Sequence, residues 1–87
     1  MYRVEFTLTA AEDLARLNKP MVQRILAKIR WLTDNFQALT PESLTGQLEG
    51  VCKLRAGDYR VLYTFNRTEA SITVHFIRHR REVYKTK

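Results

Sequence analysis

The sequence predicts an α+β fold in which two N-terminal helices pack on one face of a mostly antiparallel four-stranded sheet, in the order β-α-α-β-β-β. Three observations lead to this prediction. Residues 2–7 alternate apolar and polar side chains, as a half-buried strand does. Residues 22–36 repeat apolar side chains at the spacing of one helix face, and three more alternating segments follow residue 51.

The first half of the chain is predicted to supply one strand and two helices. Thr9 and Glu12 have the spacing of a capping box, so the first helix is predicted over residues 10–17. Pro20 suits the first turn of a longer second helix, because no amide hydrogen is needed there. The predicted buried stripe of this helix consists of Val22, Ile25, Leu26, Ile29, Leu32 and Phe36. Trp31 falls outside the stripe and is predicted to pack against the first helix.

The second half is predicted to form three strands that separate cations from apolar side chains. Lys53 and Arg55 alternate with Cys52 and Leu54, so the two cations share a face. In the next strand, Arg60 lies on the face away from the apolar side chains, where strand pairing brings it near Lys53 and Arg55. The inward residues of the last two strands are predicted to be Tyr59, Val61, Tyr63 and Phe65, followed by Ile72, Val74 and Phe76.

Length and charge limit the classes of protein that fit. With 87 residues and 10.3 kDa, the chain is expected to form a single domain over residues 1–87. Residues 51–87 hold nine Lys/Arg and three Asp/Glu, whereas residues 1–50 hold six of each, so the whole net charge of +6 lies in the second part. This asymmetry favours a polyanionic partner that one end of the fold contacts.

Other features of the sequence indicate a cytoplasmic protein without a cofactor. No basic segment followed by a long apolar core begins the chain, so neither a signal peptide nor a membrane span is expected. Cys52 is the single cysteine, which excludes an internal disulfide and a cysteine-based zinc site and fits a reducing cytoplasm. The sequence contains no carboxylate cluster suited to a two-metal site, so neither a metal nor another cofactor is expected.

Two segments of the basic half carry a family resemblance. KLRAGDYRVLY (residues 53–63) and IRHRREVY (residues 77–84) resemble the RelE/ParE toxin superfamily of bacterial toxin–antitoxin systems, and the second segment is closest to the RelE branch. The resemblance covers nearly the whole chain. It implies a RelE-like toxin domain and an endoribonuclease, an mRNA interferase, which cleaves messenger RNA in the ribosomal A site without a metal and so inhibits translation. It also implies three partners: an acidic, partly disordered antitoxin, the ribosome and mRNA.

The resemblance also implies roles for individual residues. Lys53 would help to activate the ribose 2′-hydroxyl, Arg60 would hold the scissile phosphate, and Arg80 would stabilise the transition state or protonate the leaving oxygen. Tyr84 would stack on or orient a nucleotide, as aromatic rings do with unpaired bases. Four further residues are expected to bind RNA, namely Arg55, Arg78, His79 and Arg81.

The general base is open between Lys53, Glu42 and His79. Some RelE proteins have a second lysine two positions before the one that matches Lys53, but this chain has Val51 there. Glu42 lies in a segment similar to the YoeB branch, which uses a glutamate, and His79 carries an imidazole, a side chain that often acts as a general base. His75 is interpreted as structural.

Two functions of other classes stay open beside ribosome-dependent cleavage. A ParE-like protein would inhibit gyrase by binding, without RNA chemistry, and its resemblance depends on the same GDYR segment (residues 57–60). A small RNA-binding protein without catalytic activity would use the same basic surface. Tyr84 and the Lys53/Arg55 pair favour the RelE branch over the ParE branch.

Overall fold

A computed structural model describes residues 2–39, 41 and 50–81 of the chain. The elements follow in the predicted order: β1 (Arg3–Phe6), α1 (Leu8–Ala15), α2 (Lys19–Asn35), a 3₁₀ turn (Phe36–Ala38), β2 (Cys52–Ala56), β3 (Tyr59–Asn66) and β4 (Ser71–His79). The strands form one sheet in the order β1-β4-β3-β2. β1 runs parallel to β4, and the other two pairs are antiparallel. The predicted fold class is therefore confirmed.

α1 begins earlier than predicted because Thr7, and not Thr9, caps it. The Thr7 hydroxyl accepts a hydrogen bond from the Ala10 amide at 3.1 Å and donates one to the His75 carbonyl at 3.1 Å. The Thr7 amide also donates to the Val74 carbonyl at 3.0 Å. These bonds hold the end of β1 on β4, so the helix starts directly after the strand. The predicted Thr9 capping box was wrong.

α2 begins as predicted, with Pro20 in its first turn and the Asn18 side chain accepting from the Met21 amide at 2.9 Å. Most of the predicted stripe is buried, namely Ile25, Ile29, Leu32 and, in the following 3₁₀ turn, Phe36. Leu26 was placed in this stripe wrongly, because it lies at its margin and is 41% exposed. Within the described residues, no helix combines the length and apolar character needed to cross a bilayer.

The core lies between α2 and one face of the sheet, here called the helix face. Phe36 lies at its centre, with its ring centroid 4.9 Å from Tyr2, 5.0 Å from Phe65 and 6.2 Å from Tyr63. The strands contribute alternate residues to this core: Cys52, Leu54, Ala56, Val61, Tyr63, Ile72, Val74 and Ile77. The opposite side of the sheet is called the outer face.

A β-bulge in β4 changes which residues face the core. Leu62 pairs with Phe76, but the next residue, Tyr63, pairs with Val74, so His75 is an extra residue on β4. The alternation therefore shifts by one residue. Ile77 is buried in the core, whereas Phe76, which was predicted to face inward, pairs with Leu62 and is only partly buried. The prediction for Phe76 was wrong for this reason.

Candidate RNA-cleavage site

Three arginines lie side by side across the outer face, and we call them the cationic row. Arg55 on β2 pairs with Arg60 on β3, and Arg60 pairs with Arg78 on β4. Side chains that are directly opposite on paired strands have Cβ atoms about 4.5–5.5 Å apart. Lys53 lies two residues from Arg55 on the same strand, opposite Leu62. The fold thus brings together the cations whose proximity strand pairing predicted.

Arg60 is the buried member of the cationic row. Arg60 is 8% exposed, and its guanidinium donates a hydrogen bond to the Tyr59 carbonyl at 3.4 Å. No carboxylate of the described residues forms an ion pair with it. A buried charge without a counter-charge is unfavourable. This position therefore suits an arginine whose counter-ion is an anionic group of a bound ligand.

Arg78 differs from Arg60 because it already has an acidic partner. Its guanidinium forms an ion pair with the Asp13 carboxylate of α1 and lies 5.0 Å from the centre of the Phe76 ring. The Asp13 side chain is 5% exposed and also accepts a hydrogen bond from the Ile77 amide at 3.0 Å. The charge of Arg78 is thus compensated within the fold.

The predicted site residues His79, Arg80 and Arg81, at the end of β4 and just beyond it, lie in different places. The Arg80 amide donates to the Asp58 carbonyl at 2.8 Å, which holds Arg80 against the turn between β2 and β3, at the end of the sheet next to the cationic row. His79 instead pairs with Tyr59, which packs against the core, and the two rings meet edge to face with centroids 5.4 Å apart. His79 therefore lies on the helix face, away from Arg60. The Arg81 side chain is exposed, and its amide donates to His79 Nδ1 at 3.3 Å.

Two residues of the predicted site, Tyr84 and Glu42, lie outside the described residues. His75 is on the outer face, where its Nε2 lies 2.9 Å from the Thr64 hydroxyl. Among residues 2–39, 41 and 50–81, no group of three or more His, Cys, Asp or Glu side chains is placed to hold a metal ion.

Sequence reasoning missed Asp13 and misplaced Trp31. Asp13 lies three residues after the buried Ala10, so an acid on the buried face of α1 was the signal that pointed to it. Trp31 is 43% exposed and lies beneath the Lys28 ammonium, with 4.7 Å from nitrogen to ring centre. Together with Lys53, Trp31 lines a groove of about 230 Å³ beside β2. The prediction that it packs against α1 was therefore wrong.

Comparison with known proteins identifies the family of this chain. A family model described as the ParE toxin of type II toxin–antitoxin system, parDE, matches residues 4–84. The chain belongs to this family. It is therefore a type II toxin of the RelE/ParE superfamily, as the motifs in residues 53–63 and 77–84 predicted. No curated protein matched the sequence.

Solved structures of the superfamily share the fold of this toxin. The toxin–antitoxin complex RelBE2 from Mycobacterium tuberculosis contains a chain that is 25% identical, with a TM-score of 0.79 over 90% of this chain and 96% of that one. The YoeB/ParE toxin from Agrobacterium tumefaciens is 25% identical, with a TM-score of 0.72 over 91% and 98%. The isolated RelE toxin of E. coli is 20% identical, with a TM-score of 0.72 over 98% and 93%, a likeness of fold.

Proposed function

We propose that this toxin is a ribosome-dependent endoribonuclease that cleaves messenger RNA in the A site and so stops translation. Residues 1–87 form its single domain, which acts in the cytoplasm, where translating ribosomes are found. The observation that carries the proposal is the cationic row, with the buried residue Arg60 beside Arg55 and near Lys53. Clustered cations are suited to phosphates, and phosphate contacts dominate nucleic-acid binding.

The proposed reaction uses a nucleophile that RNA itself supplies. The ribose 2′-hydroxyl loses its proton to a base, and its oxygen attacks the adjacent phosphorus. The bond from phosphorus to the 5′-oxygen breaks, and that oxygen takes up a proton. The products are a 2′,3′-cyclic phosphate and a free 5′-hydroxyl. The protein must supply a base, a proton donor and donors for the charge that develops on the phosphate oxygens.

The proposed roles follow the positions of the side chains. Arg60 binds the scissile phosphate, because its guanidinium is held in the sheet without an acidic partner among the described residues. Lys53, on the neighbouring strand, assists removal of the 2′-proton. Arg80 stabilises the leaving oxygen from the end of the sheet, and Tyr84 stacks on a base. Glu42 is the alternative base, whereas the location of His79 on the helix face disfavours it.

We further propose that an acidic, partly disordered antitoxin binds and inhibits this protein. A solved structure from Mycobacterium tuberculosis, 25% identical, is that of the toxin–antitoxin complex RelBE2, and one from Pyrococcus horikoshii, 26% identical, is that of an archaeal RelE–RelB complex. A flexible acidic chain covers a broad cationic surface by folding on it. Expression of this protein alone should therefore stop growth, and co-expression of the antitoxin should restore it.

Inhibition of gyrase is the second candidate function, because the matching family model is that of the ParE toxin. It predicts binding to gyrase and no RNA chemistry. The cationic row and Lys53 favour cleavage, because a binding surface alone does not require a buried arginine beside a lysine.

One set of assays separates these functions. Purified protein is added to translating ribosomes and the ends of the messenger are mapped, while a parallel reaction measures supercoiling by gyrase. Cuts at codon positions support the proposal; an intact messenger with impaired supercoiling supports gyrase inhibition, and RNA binding without either supports a passive module. Cleavage should persist when magnesium is replaced by an exchange-inert cation that preserves ribosome structure. An absolute requirement for inner-sphere coordination would contradict the proposed chemistry.

Matched variants connect the activity to the site. Arg60→Gln should abolish most of the cleavage. Arg24→Gln makes the same change of charge at an exposed position of α2, which packs on the side of the sheet away from the cationic row. This variant should cleave like the parent. Equal cleavage by both variants would show that the site has been assigned to the wrong residues.

A further inference from the structure

Asp13 is a buried carboxylate that the proposed reaction does not use. It lies on α1, and its side chain is 5% exposed. α1 follows β1 and covers the part of β4 that lies beyond the pairing of Phe6 with Val74. There Asp13 Oδ2 accepts a hydrogen bond from the Ile77 amide at 3.0 Å and forms the ion pair with Arg78 Nη1.

The two contacts of Asp13 make different demands on the side chain. The Ile77 amide needs an oxygen acceptor, and an asparagine oxygen supplies one as well as a carboxylate does. The Arg78 guanidinium needs a negative charge, because it lies opposite the buried Arg60 in the cationic row. Like charges directly opposite each other on a sheet are destabilising. A charge at position 13 therefore serves Arg78 and not the backbone of β4.

Arg78 is held from two sides. Asp13 binds its guanidinium at the edge of β4, and the Phe76 ring lies 5.0 Å below it on the outer face. A guanidinium that is fixed in this way presents its remaining N–H groups in one orientation. Because its charge is compensated, it adds donors beside Arg60 without adding net charge to the site.

We propose that Asp13 is a positioning residue for RNA cleavage, which fixes and neutralises Arg78 so that Arg60 meets the scissile phosphate beside an oriented donor. The inference rests on the proposed function. It divides the cationic row into two kinds of arginine. Arg55 and Arg60 attract phosphate by charge, whereas Arg78 contributes geometry.

The Asp13→Asn variant tests this division, because it keeps the acceptor for the Ile77 amide and removes the charge. We expect cleavage of messenger on ribosomes to fall on the order of tenfold to a hundredfold, the loss typical of a misplaced binding group. The affinity for a short single-stranded RNA should instead rise. The released charge of Arg78 takes a phosphate as its counter-ion, so the slope of log affinity against log salt should steepen by about 0.7.

Glu12→Gln is the matched control, since it removes the same charge from the neighbouring exposed position of α1. It should cleave like the parent. Arg78→Gln and the double variant Asp13→Asn/Arg78→Gln show whether Asp13 acts through Arg78. If it does, the double variant cleaves at the rate of Arg78→Gln. A double variant slower than Arg78→Gln, or an Asp13→Asn protein with parental cleavage, overturns the proposal.

A comparison of two arginines tests the inference without any change at Asp13. Arg55→Gln should reduce the salt slope of RNA binding by about 0.7, whereas Arg78→Gln should leave it near the parental value, since its charge is already compensated. Equal reductions overturn the proposed neutralisation. Failure of the proposed function gives a different result, because the parent itself then leaves the messenger intact, and the positioning role falls with it.

Discussion

Replacement of Arg60 by glutamine should make the protein more stable and less active. Arg60 is 8% exposed and lies opposite Arg55. Opposed like charges destabilise a sheet, and we take their cost to be of the same order as the gain from a favourable cross-strand pair, about 0.2–1 kcal/mol. Removal of a buried charge also relieves its desolvation, while glutamine retains an N–H donor for the Tyr59 carbonyl. We therefore expect the free energy of unfolding to rise by about 1–2 kcal/mol. Cleavage should fall by about 10²–10³, the value of a donor to transition-state charge.

Urea unfolding and thermal melting measure the gain. In a domain of this size each kcal/mol raises the melting temperature by about 4–8 °C. Arg55→Gln is the control, because Arg55 is exposed and its removal relieves only the repulsion. The part of the gain for Arg60→Gln that comes from repulsion by the exposed Arg55 should shrink in about 1 M salt, where the Debye length is about 3 Å. If Arg60→Gln is less stable than the parent, Arg60 has a stabilising partner and is not held ready for a phosphate.

Three further predictions test the core, the helix cap and the site. Phe36→Ala should cost about 3–5 kcal/mol of unfolding free energy in urea, since Phe36 is fully buried, whereas Leu8→Ala, at a position 76% exposed, should change it by less than about 0.5 kcal/mol. Thr7→Ala should cost about 1 kcal/mol or more in the same assay and Thr9→Ala almost nothing, and the reverse order would restore the capping box at Thr9. Tyr84→Phe should cleave messenger near the parental rate if the ring only stacks; a large loss would assign a role to the hydroxyl.

The sequence predicted the elements of the fold because their signals are local. Alternation in residues 2–7 and the helical spacing from Ile25 to Leu32 depend on neighbours within a few positions. The assignment of β4 residues to the two faces of the sheet failed because alternation is also a purely local signal. An alternating pattern places Phe76 inward, but the extra residue His75 reverses the phase, and only the pairing of β3 with β4 reveals it.

Contacts between distant parts of the chain were harder to predict. The cap of α1 depends on Thr7 because β4 holds that residue through the His75 carbonyl, 68 positions away. Asp13 reaches the Ile77 amide across 64 positions. The motifs place Arg60 and Arg78 in one site, but they do not show that one is neutralised and the other is not. That difference comes from α1, which the resemblance did not single out.

The sheet order determines when during synthesis this toxin becomes complete. β1 is made first, yet its only neighbour in the sheet is β4, the last of the described strands to be made. Until β4 emerges, β1 has no partner, α1 has no strand edge to cover, and the cationic row lacks Arg78. Native contacts between the ends of a chain form late and slowly. A ribosome that has not yet translated β4 therefore carries an unassembled site, and the toxin gains its proposed activity only after that strand has emerged.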